Sequence, residues 1–224
     1  MVSKKYRQLY ESEKHHQMSL YSNHPTSYPH NRIKHIVESE IVRFMPKSLL
    51  DAGCAEGMYT RYSAKNGMFS IGCDIAQSKL RDAKLNSDSS VPYLCADLQK
   101  LPFHDDSFEM VLALEIIEHV PNYRQALKEI FRVSSKYVVI SVPVGVFKGS
   151  GHINFFHKKD FELWASQYKI VRCYGILTNF MPLRRTITFL SFRLHKYIES
   201  LDSIFCSLPY FRYTGTHIVF VFEK

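Results

Sequence analysis

Apolar and polar positions divide this chain into short runs of strand length and longer stretches with a helical period. A helix is predicted from about Asn31 to Phe44, where Ile33, Ile36, Val37, Ile41 and Phe44 share one face, with Asn31 able to cap its start and Pro46 closing it. Ser48–Asp51 reads as a first strand, a helix begins near Gly57, Phe69–Asp74 is a second strand and Gln77–Leu85 a helix. Strands three to five fall at Pro92–Ala96, Glu109–Leu114 and Tyr137–Val142, with a helix over Asn122–Ser134 burying Tyr123, Ala126, Leu127, Ile130 and Phe131. A helix at Lys158–Ser166, a sixth strand at Ile170–Gly175, a long helix at Thr186–Leu208 and a seventh strand at Thr216–Phe222 follow. The fifth strand is rich in Val and Ile, as a strand buried on both faces should be. Strands alternating with helices at this spacing imply a doubly wound α/β fold, a largely parallel sheet covered on both sides. Residues 1–30 are rich in Tyr, His and Ser with weak periodicity, which suggests a short helix and then irregular chain.

Length and composition narrow the class. With 224 residues, 46% hydrophobic and 22% charged, the chain suits one soluble globular domain spanning 1–224. Within it, 1–45 would form a helical extension or lid, 46–145 a ligand-binding half and 146–224 a substrate-side half. No apolar stretch is long enough to span a bilayer, Arg193 breaking the richest one, and the charged amino terminus lacks a signal-peptide core. The expected location is therefore the cytoplasm. Five scattered cysteines (Cys54, Cys73, Cys95, Cys173 and Cys206) show no metal-ligand spacing and fit buried thiols in a reducing compartment. The net charge of +8 would favour nucleic acid, anionic lipid or an acidic substrate, but the basic residues are spread out, so charge leaves the partner undecided. The apolar stripe Leu190, Leu194, Tyr197, Ile198, Leu201, Phe205 and Leu208 is read as core packing rather than a membrane-surface helix.

The candidate chemistry begins at the string LLDAGCAEG, where strand one turns into the next helix. A doubly wound sheet binds its ligand at the carboxyl ends of its strands, beside that turn, and small residues there let backbone approach the ligand. A GxGxxG dinucleotide fingerprint starting at Gly53 fails, because Ala55 and Met58 hold its second and third glycine positions, and no Walker lysine follows. The string instead resembles the first motif of the class I S-adenosylmethionine-dependent methyltransferases. Asp51, Gly53 and Gly57 match that motif, and Ala55 replaces its middle glycine. Asp74 closes strand two, where an acidic side chain can bond ribose hydroxyls, with Ile75 beside it. Asp97, after strand three, is placed to accept from an adenine amino group, with Leu98 against the ring. VLALEIIEHVPNYRQALKEIFRV and YVVISVP resemble the strand-four and strand-five segments of the small-molecule, type 11-like branch of these enzymes, with Leu114 and Glu115 at the end of strand four bordering the cofactor. The resemblance covers roughly residues 46–175. It implies a Rossmann-like sheet of seven strands with the last antiparallel, S-adenosyl-L-methionine as methyl donor and S-adenosylhomocysteine as product.

Methyl transfer from a sulfonium is an in-line displacement, so the protein must align the acceptor and remove its proton. Glu115, Glu118 and His119 lie at i, i+3 and i+4, so one helical turn would give them a common face. His152 lies in the loop GVFKGSGHINFF after strand five, at the same end of the sheet. In the preferred reading His119 or His152 is the general base, neutral imidazole being the natural base near neutral pH. In a second, Glu115, Glu118, His119 and His152 hold a divalent metal. That ExxEH pattern with a later His resembles the small-RNA 3′-terminal 2′-O-methyltransferases and the ubiquinone-pathway O-methyltransferases. In a third, Glu118 and His119 pair with backbone and only shape the pocket. His24, His30 and His157 are near enough in sequence logic to reach the pocket, but each reads more simply as a lone surface histidine.

The favoured acceptor is a small molecule methylated on a hydroxyl or carboxyl oxygen, beneath a lid made by residues 1–30 and Thr178–Leu208. Tyr6, Tyr10, Tyr21 and Tyr28, and the run Ile176 to Met181, suit an aromatic or lipid-like acceptor. Nucleic acid is the less favoured partner, because no RNA-binding module or basic stripe with interleaved aromatics is present. A non-catalytic S-adenosylmethionine-binding protein is a further alternative. Oligomeric state is not legible.

Overall fold

The computed structural model describes residues 28–145, 151–176 and 216–224. The expectations for residues 1–27, for the long helix at Thr186–Leu208 and for the lid segment after Ile176 lie outside the described residues.

In chain order the described elements are α1 (Tyr28–Phe44), β1 (Ser48–Ala52), α2 (Met58–Lys65), β2 (Phe69–Asp74), α3 (Gln77–Leu85), β3 (Tyr93–Cys95) and β4 (Phe108–Leu114). A single 3₁₀ turn (Ile117–His119) precedes α4 (Tyr123–Val133), β5 (Ser134–Pro143), α5 (Lys158–Gln167), β6 (Lys169–Ile176) and β7 (His217–Glu223). The strands form one seven-stranded sheet in the order β3-β2-β1-β4-β5-β7-β6. Strands β1 to β5 pair in parallel, and β7 runs antiparallel to both β5 and β6. This is the doubly wound sheet with an antiparallel last strand that the sequence predicts.

Alternating side chains on the strands divide the core into two layers. Leu50, Val111, Ala113, Val138, Ile140, Phe220 and Phe222 pack with Leu127, Ile130 and Phe131 of α4 and with Phe161 and Trp164 of α5. Leu49, Met110, Leu112, Val139, Val219 and Val221 face the other way, against Ile33, Ile36, Val37 and Ile41 of α1 and Tyr59 of α2. The helix face predicted from Ile33 to Ile41 is thus the face α1 buries. Its docking is fixed by the buried Glu40, which accepts a 2.7 Å bond from the Tyr174 hydroxyl and lies 3.3 Å from Arg43 and 3.8 Å from Arg172.

Element ends differ from the predicted ones where hydrogen bonds override the apolar pattern. β5 begins at Ser134 rather than Tyr137, directly after α4, because the Ser134 hydroxyl donates to the Tyr137 carbonyl and Ser135 to that of Phe108. At the other end of the sheet, β7 begins at His217, opposite Pro143 of β5 and Ile176 of β6. Because β7 is antiparallel, its first residue stands at the edge where the parallel strands finish.

Candidate active site

The turn after β1 is held by bonds that begin in its own sequence. Gly53 and Gly57 take positive φ of 84° and 73°, and Ala55 takes 44°. Left-handed backbone costs a residue with a Cβ roughly 1–2 kcal/mol. The strain at Ala55 is held by its N–H, which donates to Asp74 Oδ2 at 3.0 Å. A Cβ on Gly53 would come within 2.5 Å of Ile116 Cγ1, so the segment after β4 lies directly against this turn. Likewise, a Cβ on Gly57 would meet the Tyr93 hydroxyl at 2.4 Å.

Asp51 is buried, and its Oδ2 accepts from both the backbone N–H and the hydroxyl of Thr60, at 3.0 and 2.7 Å. Thr60 is the third residue of α2, so Asp51 does the work of a helix cap from the preceding strand. Gly57, at the cap position itself, has no side chain to offer. Burial pushes the Asp51 carboxyl up to about 6, against the opposing pull of the Thr60 bonds, with the Asp74 charge adding to the rise. Asp74 accepts from the N–H of Ala55 and of Ala76, the latter at 2.8 Å, and burial raises its pKa as well. Ile75 connects Asp74 to α3. Asp97 follows β3 at the same edge, accepting from the Gln99 N–H at 3.0 Å, while Leu98 is buried in the core. The sheet therefore brings Asp51, Gly53, Ala55, Gly57, Asp74, Asp97 and Leu98 to its carboxyl edge beside β1.

The residues expected at the reacting face lie beside β4. Leu114 ends the strand, and Glu115 follows at φ 50°, its N–H held by the Ser141 carbonyl at 3.1 Å and the Ser141 hydroxyl at 3.0 Å. The helical face expected for Glu115, Glu118 and His119 does not form as one surface. The chain makes one 3₁₀ turn over Ile117–His119, and the left-handed Glu115 lies before it, so a continuous α-helical spacing is lost. The four residues named as a metal set are divided. Ligand atoms of Glu118, His119 and His152 lie within 4.8 Å of one another, and Glu115 instead groups with His30 and His217 on the same criterion.

Asn154, which sequence reasoning missed, brings His152 to His119. Its side-chain amide donates to the carbonyls of Val120 and Ile117, at 2.7 and 3.1 Å, while the N–H groups of Ile153 and Asn154 donate to the Glu118 carbonyl. Across that seam the His119 and His152 rings meet edge to face at 4.8 Å. His119 Nδ1 lies 3.3 Å from the Gly151 carbonyl. Glu118 is 1% exposed, and neither carboxylate oxygen has a hydrogen-bond partner among the described residues. His119 Nε2 stands 4.0 Å away. Burial, with the Glu115 charge added, holds the Glu118 carboxyl well above the usual range, and burial pulls His152 down toward neutrality. The sequence does not single out Thr60, Tyr93, Ile116 or His217, and it offers His30 to the pocket only as a histidine more simply read as a lone surface residue. A threonine or tyrosine carries no signal of its own, and His30 and His217 reach the edge only once α1 and β7 have docked.

Residues 50–140 match the family described as "Methyltransferase domain" (Methyltransf_11). The chain is 33% identical over 144 residues to an uncharacterized protein of Methanocaldococcus jannaschii, covering 60% of this chain and 59% of that one. It is 28% identical over 100 residues to the ubiquinone biosynthesis O-methyltransferase of Coxiella burnetii, covering 43% and 42% of the two. The matched region thus spans well under two thirds of either relative. Among solved structures, magnesium protoporphyrin IX methyltransferase from Synechocystis with bound SAH superimposes with a TM-score of 0.68 at 13% identity, covering 97% of each chain, a likeness of fold.

Proposed function

We propose that the chain is a class I S-adenosylmethionine-dependent methyltransferase of type 11, and that it methylates a hydroxyl or carboxyl oxygen of a small molecule. The observation that carries this reading is the His119–His152 pair, set against the buried Glu118 on a segment whose Ile116 abuts the cofactor turn. An imidazole beside the methyl donor suits a hydroxyl acceptor, whose proton must leave as its oxygen is methylated, whereas a carboxylate has already lost its proton near neutral pH and needs only to be aligned. Similarity to ubiquinone-pathway O-methyltransferases supports the same acceptor class.

The residues divide the work as follows. The backbone of Gly53, Ala55 and Gly57 admits the donor closely, Asp74 takes the ribose, Asp97 and Leu98 take the adenine, and Asp51, Leu114 and Glu115 border the methionine end. S-adenosylmethionine supplies an electrophilic methyl group on a positively charged sulfur. With S-adenosylmethionine bound, His152 or His119 would take a hydroxyl acceptor's proton as the methyl group passes from sulfur to oxygen, leaving S-adenosylhomocysteine. The imidazole must be neutral to act, and burial keeps His152 so.

A second reading is favoured by one observation, the two buried oxygens of Glu118 that have no hydrogen-bond partner among the described residues. An ionised carboxylate in that state is costly, and a divalent cation held by Glu118, His119 and His152 would offset the cost and acidify an acceptor hydroxyl. The test is a methyl-transfer screen across small hydroxyl and carboxyl compounds, amines and RNA ends, with and without divalent metal. Transfer to hydroxyl or carboxyl compounds is expected; transfer only to amines or RNA ends would overturn the acceptor class. Loss of that activity on chelation, restored by metal, would select the second reading.

A further inference from the structure

We propose that His30, Glu115 and His217 form a divalent transition-metal site, distinct from the Glu118–His119–His152 cluster. The three residues come from α1, from the bend after β4 and from the first position of β7, and no two are close in sequence. Their ligand atoms nevertheless lie within 4.8 Å of one another. His217 Nε2 is 3.4 Å from Glu115 Oε2, and the His30 ring meets the His217 ring edge to face at 5.6 Å. Ligand bonds of about 2.0–2.2 Å in a tetrahedral site put donor atoms roughly 3.4 Å apart, so modest side-chain rotation closes the set.

Two details point to a cation rather than to simple packing. The first is the orientation of His217. Its Nδ1 lies 3.1 Å from the Thr216 hydroxyl, and that hydroxyl donates to the Ile176 carbonyl at 3.3 Å. His217 Nε2 in turn faces Glu115 Oε2, so an imidazole nitrogen and a carboxylate oxygen carried by separate elements converge on one point. A hydrogen bond of this kind behind a ligating histidine is also the usual support of a metal site. The second detail is Glu115. Its Oε1 is buried with no hydrogen-bond partner among the described residues, and its backbone is held in the left-handed region by two bonds to Ser141. Strain of this sort is maintained where a side chain must be aimed.

The donor set names the class of metal. Two imidazoles and one carboxylate suit zinc or ferrous iron, with an open position for water or an acceptor oxygen, and suit magnesium or calcium poorly. Burial depresses the basicity of His30 and His217, which keeps both imidazoles in the neutral form that binds metal.

The test is titration of the metal-stripped full-length chain with Zn²⁺, and with Co²⁺ as a spectroscopic stand-in, by calorimetry and visible absorption. One equivalent should bind to a Glu118→Gln/His152→Ala double variant as it does at this site in the wild type. His30→Ala and His217→Ala, made in that background, should weaken binding at least ~100-fold, beyond the 10–100-fold typical of changes behind a ligand. His217→Gln and Glu115→Gln serve if an alanine variant does not fold, and S-adenosylmethionine binding by the His30 and His217 variants reports an intact fold. No Zn²⁺ binding by the double variant, or affinity unchanged by the His30 and His217 substitutions, would overturn the site.

Discussion

Four of the carboxylates at the carboxyl edge of the sheet differ in how their oxygens are used. Around the cofactor turn, Asp51 is bonded by Thr60, and Asp74 by Ala55 and Ala76. Beside β4, Glu115 and Glu118 leave three buried oxygens without a hydrogen-bond partner among the described residues. All four have pKa values raised by burial. The first pair is therefore part of the scaffold before any ligand arrives, shaping the turn proposed to meet the donor. The second pair carries a burial cost that a proton, a cation or a substrate would lessen. A buried polar group left unsatisfied costs about 1–3 kcal/mol, more when charged, and such a cost is retained where function uses it.

The comparison breaks most severely at Gly53, the point where the two regions touch. Gly53→Val places a branched side chain at φ 84° and drives it into Ile116, whose Cγ1 is 2.5 Å from the Cβ position. Strain and overpacking together should cost about 3–5 kcal/mol, read as a lowered denaturant midpoint, with donor binding lost.

The next effect separates the two pairs by pH. Asp51 rises from 3.8 to about 6 in the fold, which corresponds to about 3 kcal/mol. The native state holds this proton more tightly than the unfolded chain, so the Asp51 contribution to stability falls as pH rises from about 4 to about 6 and is flat above. Asp51→Asn keeps an acceptor for Thr60 and should remove that fall, seen in thermal melts across the range. Burial and the Glu115 charge likewise hold the Glu118 carboxyl well above its usual range. Glu118→Gln should stabilise the protein by about 1–3 kcal/mol at pH 8, seen as a raised denaturant midpoint, and methyl transfer is lost with it only where Glu118 holds a metal. The smallest effect is Ala55→Gly, which relieves left-handed strain and should add about 1 kcal/mol to stability with donor binding kept.

The same contrast explains what could be read from the chain. The cofactor side is local: Asp51 to Gly57 are contiguous, and Asp74 and Asp97 sit at strand ends whose apolar runs are plain, so turn, strands and order all follow from pattern. The reacting side is assembled by contacts that no window of sequence contains. The α-helical spacing of Glu115, Glu118 and His119 misleads, because the left-handed Glu115 and a 3₁₀ turn separate what a regular helix would align. Asn154 bonds across to the β4 segment, and His217 reaches the edge only because β7 runs antiparallel. His30 reads as a surface residue until α1 docks through Ile33, Val37 and Glu40.

The division between scaffold carboxylates and reacting carboxylates is tested most directly by calorimetry with S-adenosylmethionine on the wild type, Asp74→Ala and Glu118→Gln. The account predicts one donor site in the wild type, affinity lowered at least ~10-fold in Asp74→Ala by the lost hydrogen bonds, and affinity unchanged in Glu118→Gln. No binding by the wild type, or equal loss in both variants, would contradict it.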